Sequence, residues 1–153
     1  MSVSADPASS GPRTPEIYLG TARAEGFIGT PALGSTDGSA YQPASDLLAD
    51  QWTLSGDWDV TQESITATED GTTLTLRYRG RDVFLVMAGP PGSTVRVRIE
   101  GHDFGGADVS PDGLVHVSDP RLYRLVNVPQ ALTDATLRLT FSEGVTANAF
   151  TFG

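Results

Sequence analysis

Residues 72–79, TTLTLRYR, alternate without a slip: Leu74, Leu76 and Tyr78 fall on one side, Thr73, Thr75, Arg77 and Arg79 on the other. A period of two belongs to a half-buried strand and not to a helix. The stretch TVRVRIE (94–100) repeats the pattern, with Val95, Val97 and Ile99 inward and Arg96, Arg98 and Glu100 outward. Shorter strand signals follow in QWTL, WDVT, SITAT, LVHVSD, RLYRLVNV, ATLRLTF and VTANAFTF. Gly80-Arg81 reads as a tight turn into DVFLVMA, whose continuous apolar run suits a strand covered on both faces. A Pro-containing connection is expected before ATLRLTF. With 17 Gly and 10 Pro punctuating 153 residues, few helix-long stretches survive. The expectation is an all-β chain: an antiparallel β-sandwich, with a jelly roll as the preferred version.

Residues 1–15, rich in Ser, Pro, Ala and Gly, read as a flexible N-terminal linker, and residues 16–153 as a single β-sandwich domain. Within that domain, residues 16–50 scatter apolar anchors (Ile17, Tyr18, Leu19, Phe27, Ile28, Leu33, Tyr41) among glycines, as an irregular strap over a core would. ASDLLAD suggests one helical turn capped by Ser45.

Charge excludes some functions. A formal net charge of -9 repels phosphate backbones and anionic lipid, so nucleic-acid binding is not expected. No segment approaches membrane-spanning length, so neither is direct membrane insertion. The absence of cysteine removes disulfides and thiol chemistry from this chain. MSVSADPASSGPRTP lacks the apolar run of a signal peptide, so the chain reads either as cytoplasmic or as a piece of a larger exported protein.

Three groups of residues invite a binding role. Arg77, Arg79, Arg96, Arg98 and Arg138 all occupy outward strand positions and would form a ladder alternating with threonines. Guanidinium forks suit carboxylates, phosphates and sugar hydroxyls. Like charges across a sheet repel, so the ladder needs acids or a ligand between its rungs. It is either the solvated face of a sheet or a docking surface. Trp52 and Trp58, flanking an SGD turn, and Tyr123 are candidates for a sugar-stacking platform, the alternative being burial in the core. His102, Asp103, Asp108 and Asp112 crowd one Gly-rich loop, where ordinary turn chemistry is expected ahead of calcium. His116 is read as an inward, satisfied histidine. No metal site, cofactor or catalytic residue is expected: the nucleophile elbow, zinc, P-loop and dinucleotide signatures are missing from the sequence.

Several segments in order, TPEIYLG (14–20), QWTLSGDWDVTQESI (51–65), LTLRYRGRDVFLVM, TVRVRIEG, GADVSPDG, DPRLYRLVNV and GVTANAFTFG, resemble a known family. It is the C-terminal domain that follows the thioredoxin-like domain in bacterial DipZ-type cytochrome c biogenesis and thiol–disulfide interchange proteins. The resemblance spans residues 14–153 and implies a jelly-roll sandwich similar to carbohydrate-binding modules, displayed outside the cytoplasmic membrane. It implies a non-catalytic accessory role, binding glycan or envelope material, or docking on and orienting a thioredoxin-like domain. The redox Cys-x-x-Cys of such proteins lies in the thioredoxin domain, so no catalytic residue carries over. Asn148 departs from the pattern, standing where an aromatic is expected.

Overall fold

The computed structural model describes residues 13–35, 39–100 and 105–153. Its strands are antiparallel throughout, and no described residue is helical. In chain order they are β1 (Ile17–Tyr18), β2 (Gly29–Thr30), β3 (Gln42–Pro43), β4 (Trp52–Ser55), β5 (Trp58–Val60) and β6 (Ile65–Ala67). Then come β7 (Thr72–Ala88), β8 (Ser93–Ile99), β9 (Leu114–Val117), β10 (Arg121–Phe141) and β11 (Thr146–Phe152). β2 and β3 form a separate two-stranded ribbon; the others share one curled, nine-stranded sheet.

Two long strands turn that sheet into a sandwich. β7 and β10 pair along nearly their whole lengths, from Thr72↔Phe141 to Met87↔Arg121. Their Thr72–Tyr78 and Ala135–Phe141 halves join β4, β8 and β9 in one layer. Their Asp82–Met87 and Arg121–Asn127 halves join β11, β6 and β5 in the other. The corner corrects two sequence expectations. Gly80-Arg81 is no tight turn but a bend within β7, and the segment containing Pro129 is no connection but part of β10. Where β7 rounds the corner between Tyr78 and Asp82, β10 takes the longer path from Asn127 to Ala135, with register shifts on the way. Bulges absorb the extra residues and tolerate a proline that has no N–H to donate. A glycine in a strand pattern signals such a bend as readily as a turn.

The alternations are realised as read. Leu74, Leu76, Tyr78, Val95, Val97 and Ile99 point into the core, where they meet Val83, Leu85, Met87, Phe150 and Phe152 from the opposite layer. At roughly 25 cal/mol per Å² of apolar surface removed from water, this shared core is the main stabilising term. In DVFLVMA one face is fully buried and the other half-buried, as its continuous apolarity suggests. ASDLLAD forms no helical turn; it runs as an irregular strap into a turn at Ala49-Asp50.

One edge of β7 is served by several segments in succession. β4 pairs with Thr73–Leu76, and then Asp50 N–H donates to Arg77 O (2.8 Å) while Arg77 N–H donates to Gln51 O (3.0 Å). Thr14 N–H donates to Arg79 O (2.9 Å), and Thr14 Oγ1 accepts from Arg79 N–H (2.8 Å). Gly153 O accepts from Arg81 and Asp82, and Gly153 N–H returns a bond to Asp82 O (3.0 Å). β11 takes over from Val83 onward. Thr14, placed in the linker by the sequence reading, is therefore buried and bonded into the sandwich. Residues 1–12 of that linker lie outside the described residues, as do His102 and Asp103.

Candidate functional site

The outward face of the β4-β7-β10-β8-β9 layer carries a continuous array of the polar strand residues that the alternation predicts. Register lays it out in rows. Ser55, Thr73, Thr140 and Arg96 lie across β4, β7, β10 and β8; the next row runs Thr53, Thr75, Arg138, Arg98. A third places Arg77 beside Thr136, and Thr136 O accepts from Glu100 N–H (3.0 Å). Loops raise this floor into a trough. On one side the strap of residues 43–48 encloses a groove of about 1000 Å³ floored by Ser55, Thr73, Thr75, Thr136 and Arg138. On the other, residues 105 and 109–113 wall a second groove of about 850 Å³ over Arg96, Arg98 and Arg138. The two grooves share Glu100, Thr136 and Arg138.

Specific bonds hold both walls. Arg77 reaches Asp134 with two nitrogens, Nε at 2.6 Å and Nη2 at 2.8 Å, and donates through Nη1 to Leu47 O (2.5 Å). That fork ties the strap to β10, and the Arg77 guanidinium holds the Asp134 carboxyl below its ordinary value. Ala44 N–H donates to Thr53 Oγ1 (2.9 Å), fixing the strap's other end. In the second wall, Asp108 accepts from Arg121 Nη2 (3.0 Å) and from Arg124 N–H (2.7 Å). The Arg121 bond is the main reason its carboxyl also lies below the ordinary value. Gly106 lets this loop close on β10: a Cβ there would stand 2.4 Å from Arg124 O. Ser110 Oγ donates to the Asp112 carboxylate, so both described acids of the Gly-rich loop serve the loop itself.

The candidate residues separate on this geometry. The aromatic platform is absent, because all three rings face the core. Trp52 is 0% exposed, packs edge-on against Phe27 (4.9 Å) and donates its indole N–H to Glu25 O (3.0 Å). Trp58 packs edge-on against Phe141 (5.0 Å) and donates to Ser55 O (3.0 Å). Tyr123 is 1% exposed, with its hydroxyl donating to Asp119 O (2.8 Å). Buried rings offer no face to a sugar. The arginines do point outward, but Arg77 and Arg79 are committed to Asp134 and Asp50, Arg79 Nη2 lying 3.0 Å from the Asp50 carboxylate. Arg96, Arg98 and Arg138 are exposed on the trough floor. His116 is corrected: it shares its strand side with Leu114 as read, but that side is the outward one. The strap was read as covering the core, but its residues 43–48 wall a groove on the outward face of the sheet, which the sequence reading missed. Nothing in PASDLL distinguishes a segment laid along a sheet face from any other loop.

Comparison with known proteins agrees with this architecture. The family model described as "Thioredoxin like C-terminal domain" matches residues 14–153. Protein DipZ of Mycobacterium bovis and Protein DipZ of Mycobacterium tuberculosis are each 29% identical over 143 residues, covering 92% of this chain. The chain spans only 18% of the length of these relatives. Among solved structures, a family two carbohydrate esterase from Cellvibrio japonicus matches with a TM-score of 0.55 at 18% identity, over 66% of this chain and 30% of that one. A carbohydrate-binding module from Clostridium stercorarium in complex with cellobiose matches with a TM-score of 0.36 at 20% identity, over 59% and 72% of the two chains. The likeness to the esterase is one of fold.

Proposed function

The chain belongs to the thioredoxin-like C-terminal domain family, and from that premise we propose that it is a non-catalytic accessory domain whose polar trough binds glycan of the cell envelope. The observation that supports this reading is the trough itself. Its volume of about 1000 Å³ on the strap side reaches the top of the range for small-molecule sites, so it takes several sugar rings more readily than one. Its floor offers the hydroxyls of Thr75 and Thr136, which donate and accept as sugar hydroxyls do, beside Ser55 and Thr73, whose hydroxyls bond each other at 2.6 Å. Recognition then works through hydrogen bonds to ring hydroxyls, without stacking. The domain acts outside the cytoplasmic membrane, where such glycan lies, and uses no cofactor. No helix among the described residues is long and apolar enough to cross a membrane.

A glycan array probed with the purified domain, with Thr75→Val and Thr136→Val beside it, tests this. Each substitution keeps the shape of the floor and removes one hydroxyl; circular dichroism checks the fold. Losing both hydroxyls should weaken binding about tenfold, at roughly 0.5–1.5 kcal/mol per hydrogen bond. Equal binding by the folded double variant would move the site elsewhere. A second reading, docking on a thioredoxin-like domain, draws on Leu48, which stands 66% exposed on the strap. It gains weight if no glycan binds and Leu48→Ser weakens association with such a domain.

A further inference from the structure

The trough holds two guanidiniums that have no charge partner among the described residues. Register sets Arg138 of β10 directly opposite Arg98 of β8, both on the outward face. Cross-strand partners have Cβ atoms roughly 5 Å apart, and like charges there are destabilising. Most other arginines are given an acid or a ring. Arg77, Arg79, Arg81 and Arg121 sit on Asp134, Asp50, Asp82 and Asp108, while Arg23 and Arg124 lie over Tyr18 and Phe84. Arg98 and Arg138 have neither ion pair nor hydrogen-bond partner among the described residues. In a chain with 19 acids against 10 bases, an adjacent unneutralised pair runs against composition. Glu100, just past the end of β8, lines the trough but forms no ion pair with either.

We propose that Arg98 and Arg138 together hold a carboxylate on the bound saccharide, so that the trough selects acidic glycans. The inference rests on the glycan reading above. A carboxylate between two facing guanidiniums cancels their repulsion and accepts charge-assisted hydrogen bonds from both. Thr75, directly across from Arg138, and Thr136, which lines both grooves, place hydroxyls beside the anchored group. The same floor argues for a sugar acid over an acidic peptide. Between the walls it presents hydroxyls and charges, and the exposed apolar side chain that a peptide would use, Leu48, stands on the strap.

Two measurements on the whole domain test this together. The first follows the Arg98 and Arg138 Nε–H resonances during titration with acetate and, separately, inorganic phosphate. The second compares carboxylated glycans with neutral counterparts on an array, using wild type, Arg98→Gln, Arg138→Gln and Arg81→Gln. Arg81→Gln removes the same charge outside the trough. The expected result is acetate-dependent shifts at both arginines and at least tenfold tighter binding of carboxylated glycans. That preference should disappear in Arg98→Gln and Arg138→Gln and persist in Arg81→Gln. Neutral glycans bound as tightly as acidic ones would overturn the inference and leave the glycan reading standing. So would an equal loss in Arg81→Gln, or shifts with phosphate but not acetate. Acetate shifts with no glycan bound would overturn the saccharide, and with it the underlying reading, while keeping a paired-arginine carboxylate site. Polyglutamate would then be the probe.

Discussion

At the scale of single residues, Asp50 ties Thr14 and the strap to β7. It occupies a left-handed backbone conformation (φ 68°), accepts from Thr14 Oγ1 at 2.6 Å and pairs with Arg79 at 3.0 Å. Asp and Asn are among the few non-glycine residues that enter that conformation readily. Arg79 Nε is already buried without a partner among the described residues, so removing the carboxylate leaves more of the guanidinium unsatisfied. Asp50→Ala is expected to cost about 1–3 kcal/mol, as for other hydrogen bonds to charged groups. Asp50→Asn, which keeps the backbone preference and one acceptor, should cost less. Urea-denaturation midpoints decide between them, and equal losses would show that only the charge matters. Asp50 carries no sequence signal of this role, since its partners lie 29 and 36 positions away. The outward arginines were legible because alternation fixes direction. Which of them are neutralised was not, because Asp134 and Asp50 reach them from a bulge and a loop.

At the scale of elements, the loop walling the second groove depends on one close approach and one carboxylate. Gly106→Ala would drive a Cβ to 2.4 Å from the Arg124 carbonyl, so the loop must lift from β10. Overpacking of this kind costs about 1–3 kcal/mol, and amide exchange at Gly106 and Asp108, which bond Leu125 and Arg124 carbonyls, should accelerate first. Unchanged protection there would mean the backbone yields elsewhere. Asp108 adds a pH dependence. Its carboxyl titrates below the ordinary value in the folded state, chiefly through Arg121, so the unfolded chain takes up the proton first as pH falls. Its stabilising contribution is complete above the ordinary carboxylate range near about pH 4 and disappears on acidification through the lowered folded value. The stability gap between wild type and Asp108→Asn should therefore be widest near neutrality and close as the pH falls below the ordinary carboxylate range. A gap independent of pH would remove the carboxylate's charge from the explanation. Strand identities were readable from periodicity, whereas the corner of β7 and β10 was not. Gly80 and Pro129 read locally as a turn and a connection, and only the pairing of two distant strands makes them a shared bend.

At the scale of the whole molecule, the antiparallel sandwich follows from the alternation, but the site does not follow from its most conspicuous residues. Tryptophans are what a sequence reader looks for in a sugar site, yet Trp52 of β4 and Trp58 of β5 both complete the core. Truncating Trp52 to alanine is expected to cost about 3–5 kcal/mol, a large share of a domain's total stability, so loss of binding in such a variant would report unfolding. The succession of bonds along one edge of β7 has a further consequence. Thr14 bonds Arg79 and Gly153 bonds Arg81, two residues along the same strand edge and roughly 7 Å apart. The order in which the chain visits its strands is thus separable from the sandwich itself. A circular permutant that links Gly153 to Thr14 through a few glycines and opens the exposed turn between Pro91 and Gly92 should unfold in a single cooperative transition and keep an intact trough. A permutant that fails to fold would show that the unbroken connection from β7 to β8, which are not neighbours in the sheet, has to form first, making the route of folding as binding a constraint as its end.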